Sequence, residues 1–254
     1  MPQIFRVIDT GVRDGRRHIA FDQALIELHK VGASPDTIRF LRFPPTVLVG
    51  RHQALADAVH LDACRAEGIG LVRRITGGGA IYLDQGQAGW EIVLSRKRLP
   101  QPSLSDYAKL ICEAVSQGLS RAFGIAAVYR EPNEIEVGGA KLCGTGGYFD
   151  GDTLVFQGTV LIDVNPARFV QLLRLPPLPP ASLPQRLTSL KQLLGDSSPG
   201  VPAVQAAVLD GLAKGLDLQL QQGAPTPGEE TLAHRFHDEE IGTDAFVLHG
   251  DRSA

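Results

Sequence analysis

The sequence predicts an α+β fold with mixed, largely antiparallel sheets flanked by helices. Three observations carry that reading. Short alternating or β-branched runs dominate residues 3–162 and mostly follow one another directly, whereas a doubly wound parallel sheet alternates strand with helix. Two or three stretches with apolar residues at helical spacing stand between them. Glycine supplies 28 of 254 residues, roughly 11% against a usual ~7%, and the surplus is clustered.

Gln3 to Asp9 alternates and reads as the first strand. Ile19, Phe21, Ala24, Leu25, Leu28 and Val31 approach helical spacing, so a helix covers 19–31 until Ala33-Ser34-Pro35-Asp36 breaks it. Strands follow at 37–43 and 46–50. Leu55 to Glu67 reads as a helix closed by Gly68-Ile69-Gly70. Strands at 71–75 and 80–83 flank Thr76-Gly77-Gly78-Gly79, and Trp90 opens another at 90–94 as a core residue. Ser105 to Phe123 is a long helix, with Ser105 as N-cap and Gly124 past its end. Strands at 126–129 and 135–137 lead into a tight hairpin at Gly138-Gly139, a returning strand from Ala140, and a strong strand at 154–162.

Beyond Asn165 the character changes. A short helix at 166–173 precedes a linker-like run, Leu175-Pro176-Pro177-Leu178-Pro179-Pro180. Helices are expected at 187–194 and 201–220, the second weakened by Gly211 and Gly215. A last helical turn covers 231–236, and Arg252 to Ala254 is expected to fray. The chain reads as one domain over 1–254, with a motif-bearing core at 3–163 and a helical, Pro-rich part at 164–254.

Composition excludes several function classes. A net charge of −3 leaves no electrostatic footprint for nucleic acid. No apolar run reaches the ~18 residues of a membrane span, and the N-terminus lacks a signal-peptide stretch. Three cysteines, Cys64, Cys112 and Cys143, have spacings of neither a zinc site nor a disulfide framework, so a reducing cytoplasm is expected.

The glycine clusters carry the chemistry. Thr76-Gly77-Gly78-Gly79-Ala80 runs from strand to strand, unlike a P-loop or a dinucleotide fingerprint, both of which open a helix. Without Cβ atoms, a ligand lies directly on the backbone and successive N–H groups face an anion. Arg73 and Arg74 precede it on opposite strand faces, so one of them reaches the same ligand. The second cluster, Gly138 to Gly147, holds a single charge, Lys141, a compact cation suited to a phosphate or carboxylate. Two residues on, Cys143 is expected on the face of Lys141, either as an activated thiolate or as a small core residue. His52 reads equally as a ligand contact or a loop residue. His234 and His237 read as an acidic, solvated tail before a metal pair.

In this order the pieces resemble the lipoate–protein ligase A group of the biotin/lipoate ligase family. Arg73-Arg74-Ile75-Thr76-Gly77-Gly78-Gly79-Ala80-Ile81-Tyr82 looks like its Arg-Arg-x-Ser/Thr-Gly-Gly-Gly-Ala motif. Thr46 to Gln53, Asn133-Glu134-Ile135, Lys141-Leu142-Cys143-Gly144-Thr145 and Gln157-Gly158-Thr159-Val160-Leu161 are similar to four further family segments. The resemblance implies a sheet fold shared with biotin ligases and class II aminoacyl-tRNA synthetases. It implies activation of lipoate by ATP and Mg²⁺ to lipoyl-adenylate, then transfer to a lysine of an acceptor lipoyl domain. Lys141 would be catalytic. Arg73, Arg74 and the Thr76 to Tyr82 stretch would hold phosphates and adenosine, helped by Gly144, Thr145, Gln157, Gly158 and Thr159. Asn133 and Glu134 would lie near the nucleotide or its Mg²⁺, and Val49, Ile81 and Val160 would line the lipoyl chain.

The sequence departs from the family at Leu83, Gln87 and Gln157, where histidine or asparagine is usual, and at Glu134, where aspartate is usual. Little chain remains after Asp163 for an accessory domain, which implies a separate partner chain or a preformed adenylate. Two other readings stand beside the ligase. One is octanoyl transfer from a carrier protein through a cysteine thioester, whose cysteine would precede Lys141 near Asn133 to Ile135, where this chain has none. The other is a non-catalytic protein that binds lipoyl-adenylate or a lipoyl domain.

Overall fold

A computed structural model describes residues 3–175 and 186–250. The Pro176 to Pro180 run and the Arg252 to Ala254 end fall outside the described residues. Two sheets form the frame. The larger contains β1 (Gln3–Val12), β2 (Thr37–Arg42), β6 (Gln87–Ser95), β7 (Ala127–Arg130), β8 (Glu134–Val137), β9 (Ala140–Asp150), β10 (Thr153–Leu161) and β11 (Leu218–Gln222), in the order β11-β1-β2-β6-β10-β9-β8-β7. The smaller has β4 (Gly70–Arg73), β3 (Thr46–Val49) and β5 (Ile81–Leu83), with β3 central. From β2 to β7 the large sheet is antiparallel, but β1 pairs in parallel with both β2 and β11, and β3 with β4. The expected mixed, helix-flanked α+β architecture is what the chain adopts.

Side chains alternate across a strand, so the register assigns each residue to a face. Trp90, Ile92, Phe156, Val160 and Cys143 point to one face of the large sheet, into the main core. That core is closed by α4 (Leu104–Phe123) and α7 (Val201–Gly215). The opposite face meets α1 (Gly15–Lys30), α8 (Pro227–Phe236), α9 (Asp244–His249) and the small sheet, through Ile19, Leu41, Leu48, Val72, Ile75, Val155 and Phe246. This second face carries the candidate site.

Local chemistry explains the ends of these elements. Ser103 caps α4, two residues before the expected Ser105, and Gly124 takes the left-handed conformation at its C-cap. Thr226 and Glu229 form a capping box on α8, whose start precedes the expected 231. The buried Glu229 also binds Arg6, 2.6 Å away, and these bonds hold its carboxyl below the ordinary range against the effect of burial.

Four expectations change. The helix at 55–67 is two short ones, α2 (Leu55–Ala58) and α3 (Leu61–Ala66), because Val59 is extended and bridges to Leu173 of the turn after α5 (Pro166–Leu172). The helix at 201–220 stops at Gly215. Asp217 turns the chain at φ 52°, and Leu218 to Gln222 becomes the edge strand β11. The helix expected at 187–194 is confined to α6 (Leu190–Leu194). Residues 237–249 hold a π-helical turn and α9, both missing from the sequence reading.

The glycines of α7 do more than weaken a helix. A Cβ on Gly211 would meet the Ala114 carbonyl and lie 3.2 Å from the Gly118 Cα of α4. The helices touch backbone to backbone there. Gly211→Val is therefore expected to cost about 2 kcal/mol by overpacking and to lower Tm by about 4–8 °C. Thermal unfolding followed by circular dichroism checks this, and an unchanged Tm contradicts the packing account.

Candidate functional site

The glycine turn between β4 and β5 is built around Arg74. Its guanidinium donates to the carbonyls of Gly77 (2.8 Å), Gly79 (3.0 Å) and Leu48 (3.3 Å) and to Thr76 Oγ1 (3.3 Å). Burial lowers its pKa to about 10. Gly50 closes the other side, since a Cβ there would run into the Gly78 carbonyl, and Gly78 sits at φ 97°. The turn thus needs glycine for both close approach and positive φ. With its carbonyls drawn onto Arg74, it keeps N–H groups for an anion.

Arg73 does not join it. Arg73 is 2% exposed and donates to the carbonyls of Gly50 and Arg51 (both 3.0 Å) and Gln53 (2.8 Å). It also binds those of Phe246 and Val247 (both 3.1 Å) and Leu248 (3.3 Å) at the end of α9. The phosphate-ligand expectation for Arg73 is therefore corrected to a strut that ties α9 to the base of the glycine turn. Tyr82 is likewise core, 3% exposed and edge-on to Phe169. Ile81 faces the large sheet, and Ala80 packs with the small-sheet core.

The second cluster depends on a bulge. Glu134 pairs with Gly144 and Ile135 with Cys143, but Glu136 pairs with Lys141, leaving Leu142 as an extra residue. Leu142 and Cys143 both enter the core, and Lys141 emerges on the face of Gly144. A Cβ on Gly144 would lie 2.7 Å from Lys141 Cε and 2.9 Å from Nζ, so a side chain there would push the end of Lys141 from its present position. Lys141 Nζ donates to Glu134 Oε1 at 2.8 Å, with both side chains about a third exposed (32% and 27%). The expectation that Cys143 shares the face of Lys141 fails because of this bulge.

The register lays out the rest of this face. Gly144 stands opposite Thr159, Gly146 opposite Gln157, and Tyr148 opposite Val155. Gly144 and Gly146 thus leave a strip free of side chains from Lys141 to Tyr148, flanked by Thr159 and Gln157. Gly144 to Tyr148 spans ~13 Å. At the Tyr148 end lies a cleft of about 500 Å³ lined by Arg51, Ile75, Phe236, Ile241 and Phe246 among others. Ile75 places it against the root of the glycine turn.

Other expected site residues fall elsewhere. Thr145 and Gly158 face the main core: Thr145 Oγ1 donates to the Asn133 carbonyl (2.8 Å), and Gly158 lies under the Trp90 ring. Asn133 Nδ2 returns a bond to the Thr145 carbonyl, so Asn133 braces the strand pair. Val49 and Val160 are fully buried in core clusters, which removes them from the lining of any chain. His52 is exposed, and His237 Nδ1 pairs with Asp238 at 2.8 Å.

All three thiols are buried. Burial raises their pKa values, to about 11 for Cys112 and about 12 for Cys143. Among the described residues no group of three or more His, Cys, Asp or Glu is arranged to hold a metal ion. Glu134, the expected Mg²⁺ neighbour, pairs with Lys141 in this structure. This donor set is not a metal cage, and a Mg²⁺ here would travel on a triphosphate. No helix among the described residues is long and apolar enough to cross a membrane.

Sequence reasoning missed Asp22, Arg39 and Glu91, which lie next to Gln157. They sit singly in ordinary amphipathic runs, and only the strand register unites them.

Comparison with known proteins adds three findings. The family model of the lipoyl protein ligase A/B catalytic domain matches residues 14–213. Octanoyltransferase LipM of Symbiobacterium thermophilum is 30% identical, over 94% of this chain and 96% of its own, and lipoate-protein ligase A subunit 1 of Thermoplasma acidophilum is 25% identical, over 92% of each. A structure from an archaeal lipoylation system, described as a bi-partite lipoate protein ligase and its E2 lipoyl domain from Thermoplasma acidophilum, shares the fold at TM-score 0.87 and 23% identity, covering 100% of this chain and 99% of that one.

The burial of the cysteines is directly measurable. A thiol reagent at pH 8 is expected to leave the native protein unmodified over minutes and to label all three cysteines on denaturation. Rapid labelling of one thiol in the native state contradicts this site.

Proposed function

Because the chain belongs to the lipoyl protein ligase A/B catalytic-domain family, we propose that it activates lipoate with ATP and passes the lipoyl group to a lysine of an acceptor lipoyl domain. In the first step a carboxylate oxygen attacks the α-phosphorus of ATP and pyrophosphate leaves. In the second, the acceptor amine attacks the acyl carbon, AMP leaves with the bonding pair, and the amine loses a proton.

The observation that supports this reading is Lys141, a part-exposed ammonium at the head of a glycine-lined strip, in a chain whose thiols are all buried. A part-exposed ion pair is worth little, so Lys141 gives up Glu134 readily when an anion arrives. It then faces the carboxylate and the α-phosphate together, where charge develops during adenylation. Gly144 and Gly146 let the acyl chain lie on the backbone, and the cleft beyond Tyr148 receives its far end. The glycine turn, held by Arg74, offers N–H groups to phosphates, with Thr76 beside it. A solved lipoate-protein ligase A carries ATP at 23% identity, in keeping with a nucleotide at this fold. We place the reaction in the cytoplasm. The acceptor domain, together with a separate accessory chain, forms the partner set, as in the bipartite relative.

A second reading, octanoyl transfer without ATP, is favoured by the name of the 30% identical relative. It needs a thiol, and Cys143 sits on the wrong face of β9. Intact mass of a lipoyl domain incubated with protein, lipoate and ATP separates the two. A lipoyl gain is expected that requires ATP, falls by ~10²–10³ in Lys141→Ala and survives Cys143→Ser. Transfer from octanoyl carrier protein without ATP, abolished in Cys143→Ser, overturns the ligase.

A further inference from the structure

Beside the glycine strip lies a charge cluster that the proposed reaction leaves unused. Asp22 of α1, Arg39 of β2 and Glu91 of β6 are each at most 1% exposed. Arg39 binds Asp22, and its Nε lies 2.6 Å from Glu91 Oε1. The register sets Arg39 opposite Glu91, Glu91 opposite Gln157 and Gln157 opposite Gly146, in one row across the sheet. Gln157 Nε2 donates to both acids, at 3.1 Å to Asp22 Oδ2 and 2.9 Å to Glu91 Oε2.

Two carboxylates share one guanidinium, so full ionisation leaves a buried negative charge without a partner. That arrangement is costly and favours one bound proton. Desolvation, reinforced by Asp22 and opposed by Arg39, raises Glu91 to about 7, and burial also raises Asp22. The other groups near the row are Tyr148 of β9, whose phenol is pushed up chiefly by burial and which also feels Asp150 and Arg51, and His18 of α1, held down to about 3 by burial, Arg39 and Arg13. Neither titrates near neutrality, and the proton belongs to the acid pair.

A carboxamide has one donor end and one acceptor end. With both acids ionised, Nε2 is drawn to them and Oε1 faces the strip. Once Glu91 carries a proton on Oε2, that oxygen no longer accepts from Nε2; the amide keeps its bond to Asp22, which stays ionised beside Arg39, and its second N–H is released to the strip.

We infer that Glu91 acts as a proton-controlled switch on Gln157, which presents an N–H to the substrate carboxylate when Glu91 is protonated and an oxygen when it is ionised. Gln157 is the residue that touches substrate; Asp22, Arg39 and Glu91 are positioning residues. The carboxylate lies at Lys141, one pleat or ~7 Å along the strip from Gln157, within reach of its side chain. The ligand in this inference rests on the function proposed above; the switch does not.

Two measurements on the intact 254-residue chain test it. The Gln157 side-chain amide resonance, identified by its loss in Gln157→Glu, is expected to titrate with a midpoint near 7 and to stop titrating in Glu91→Gln. That variant keeps the shape of the side chain and removes the surplus charge, so it folds. Lipoate binding, measured without ATP, is expected to be about fivefold tighter at pH 6 than at pH 8, because a hydrogen bond to a carboxylate is gained while a midpoint near 7 leaves about a tenth of the protein in the other state at each pH. The difference vanishes in Glu91→Gln and persists in Lys141→Ala. An amide that does not titrate between pH 5.5 and 8.5, or a pH dependence that survives in Glu91→Gln, overturns the switch. A titrating amide in a protein that binds no lipoate upholds the switch and overturns the ligand.

Discussion

The extra residue of β9, Leu142, is the constraint on which the site depends. A strand in register alternates its side chains, and Lys141 and Cys143 would then share a face. The bulge breaks that alternation, sending Leu142 and Cys143 into the core and returning Lys141 to the glycine face. One local irregularity thus separates a cation from a thiol that are two residues apart. It also aims the ammonium along a strip that Gly144 and Gly146 leave open. The burial that keeps Cys143 small and apolar raises its pKa, so the same packing that exposes the cation silences the nucleophile.

The two arginines before the glycine turn divide a similar task. Both are desolvated, and burial lowers the pKa of each. Arg74 gathers the carbonyls of the turn and fixes its shape. Arg73 gathers carbonyls from the β3–α2 connection and the end of α9. The turn is therefore held from inside by one guanidinium and from beneath by the other. Electrostatic preorganisation of this kind is useful only if the donors stay in place when charge develops, and the backbone contact of Gly50 with Gly78 removes the remaining freedom.

Most of the frame was legible in the sequence because its strands and long helices have clear period and caps. Gly124 ends α4 as read, with the N-cap at Ser103 in place of Ser105, and Gly138-Gly139 closes the β8–β9 hairpin with both glycines at positive φ. What was not legible had physical causes. Leu218-Gln219-Leu220-Gln221 is made of good helix formers, and only the free edge of β1 makes it a strand. The faces of Cys143, Thr145 and Val160 follow from pairing register, which one strand cannot announce by itself. Arg73 was misread because its partners are main-chain carbonyls up to 175 residues away. The Asp22–Arg39–Glu91 cluster was invisible for the same reason. Each member is unremarkable in its own segment, and its meaning lies in the row the sheet assembles.

The account makes Lys141, and no cysteine, the centre of acyl activation. The most direct test is the mass of the protein itself, quenched during turnover with acyl donor, with and without ATP. The account predicts an unmodified chain together with AMP that appears only when lipoate and ATP are both present. An acyl group held on a cysteine of this chain, formed without ATP, would contradict it.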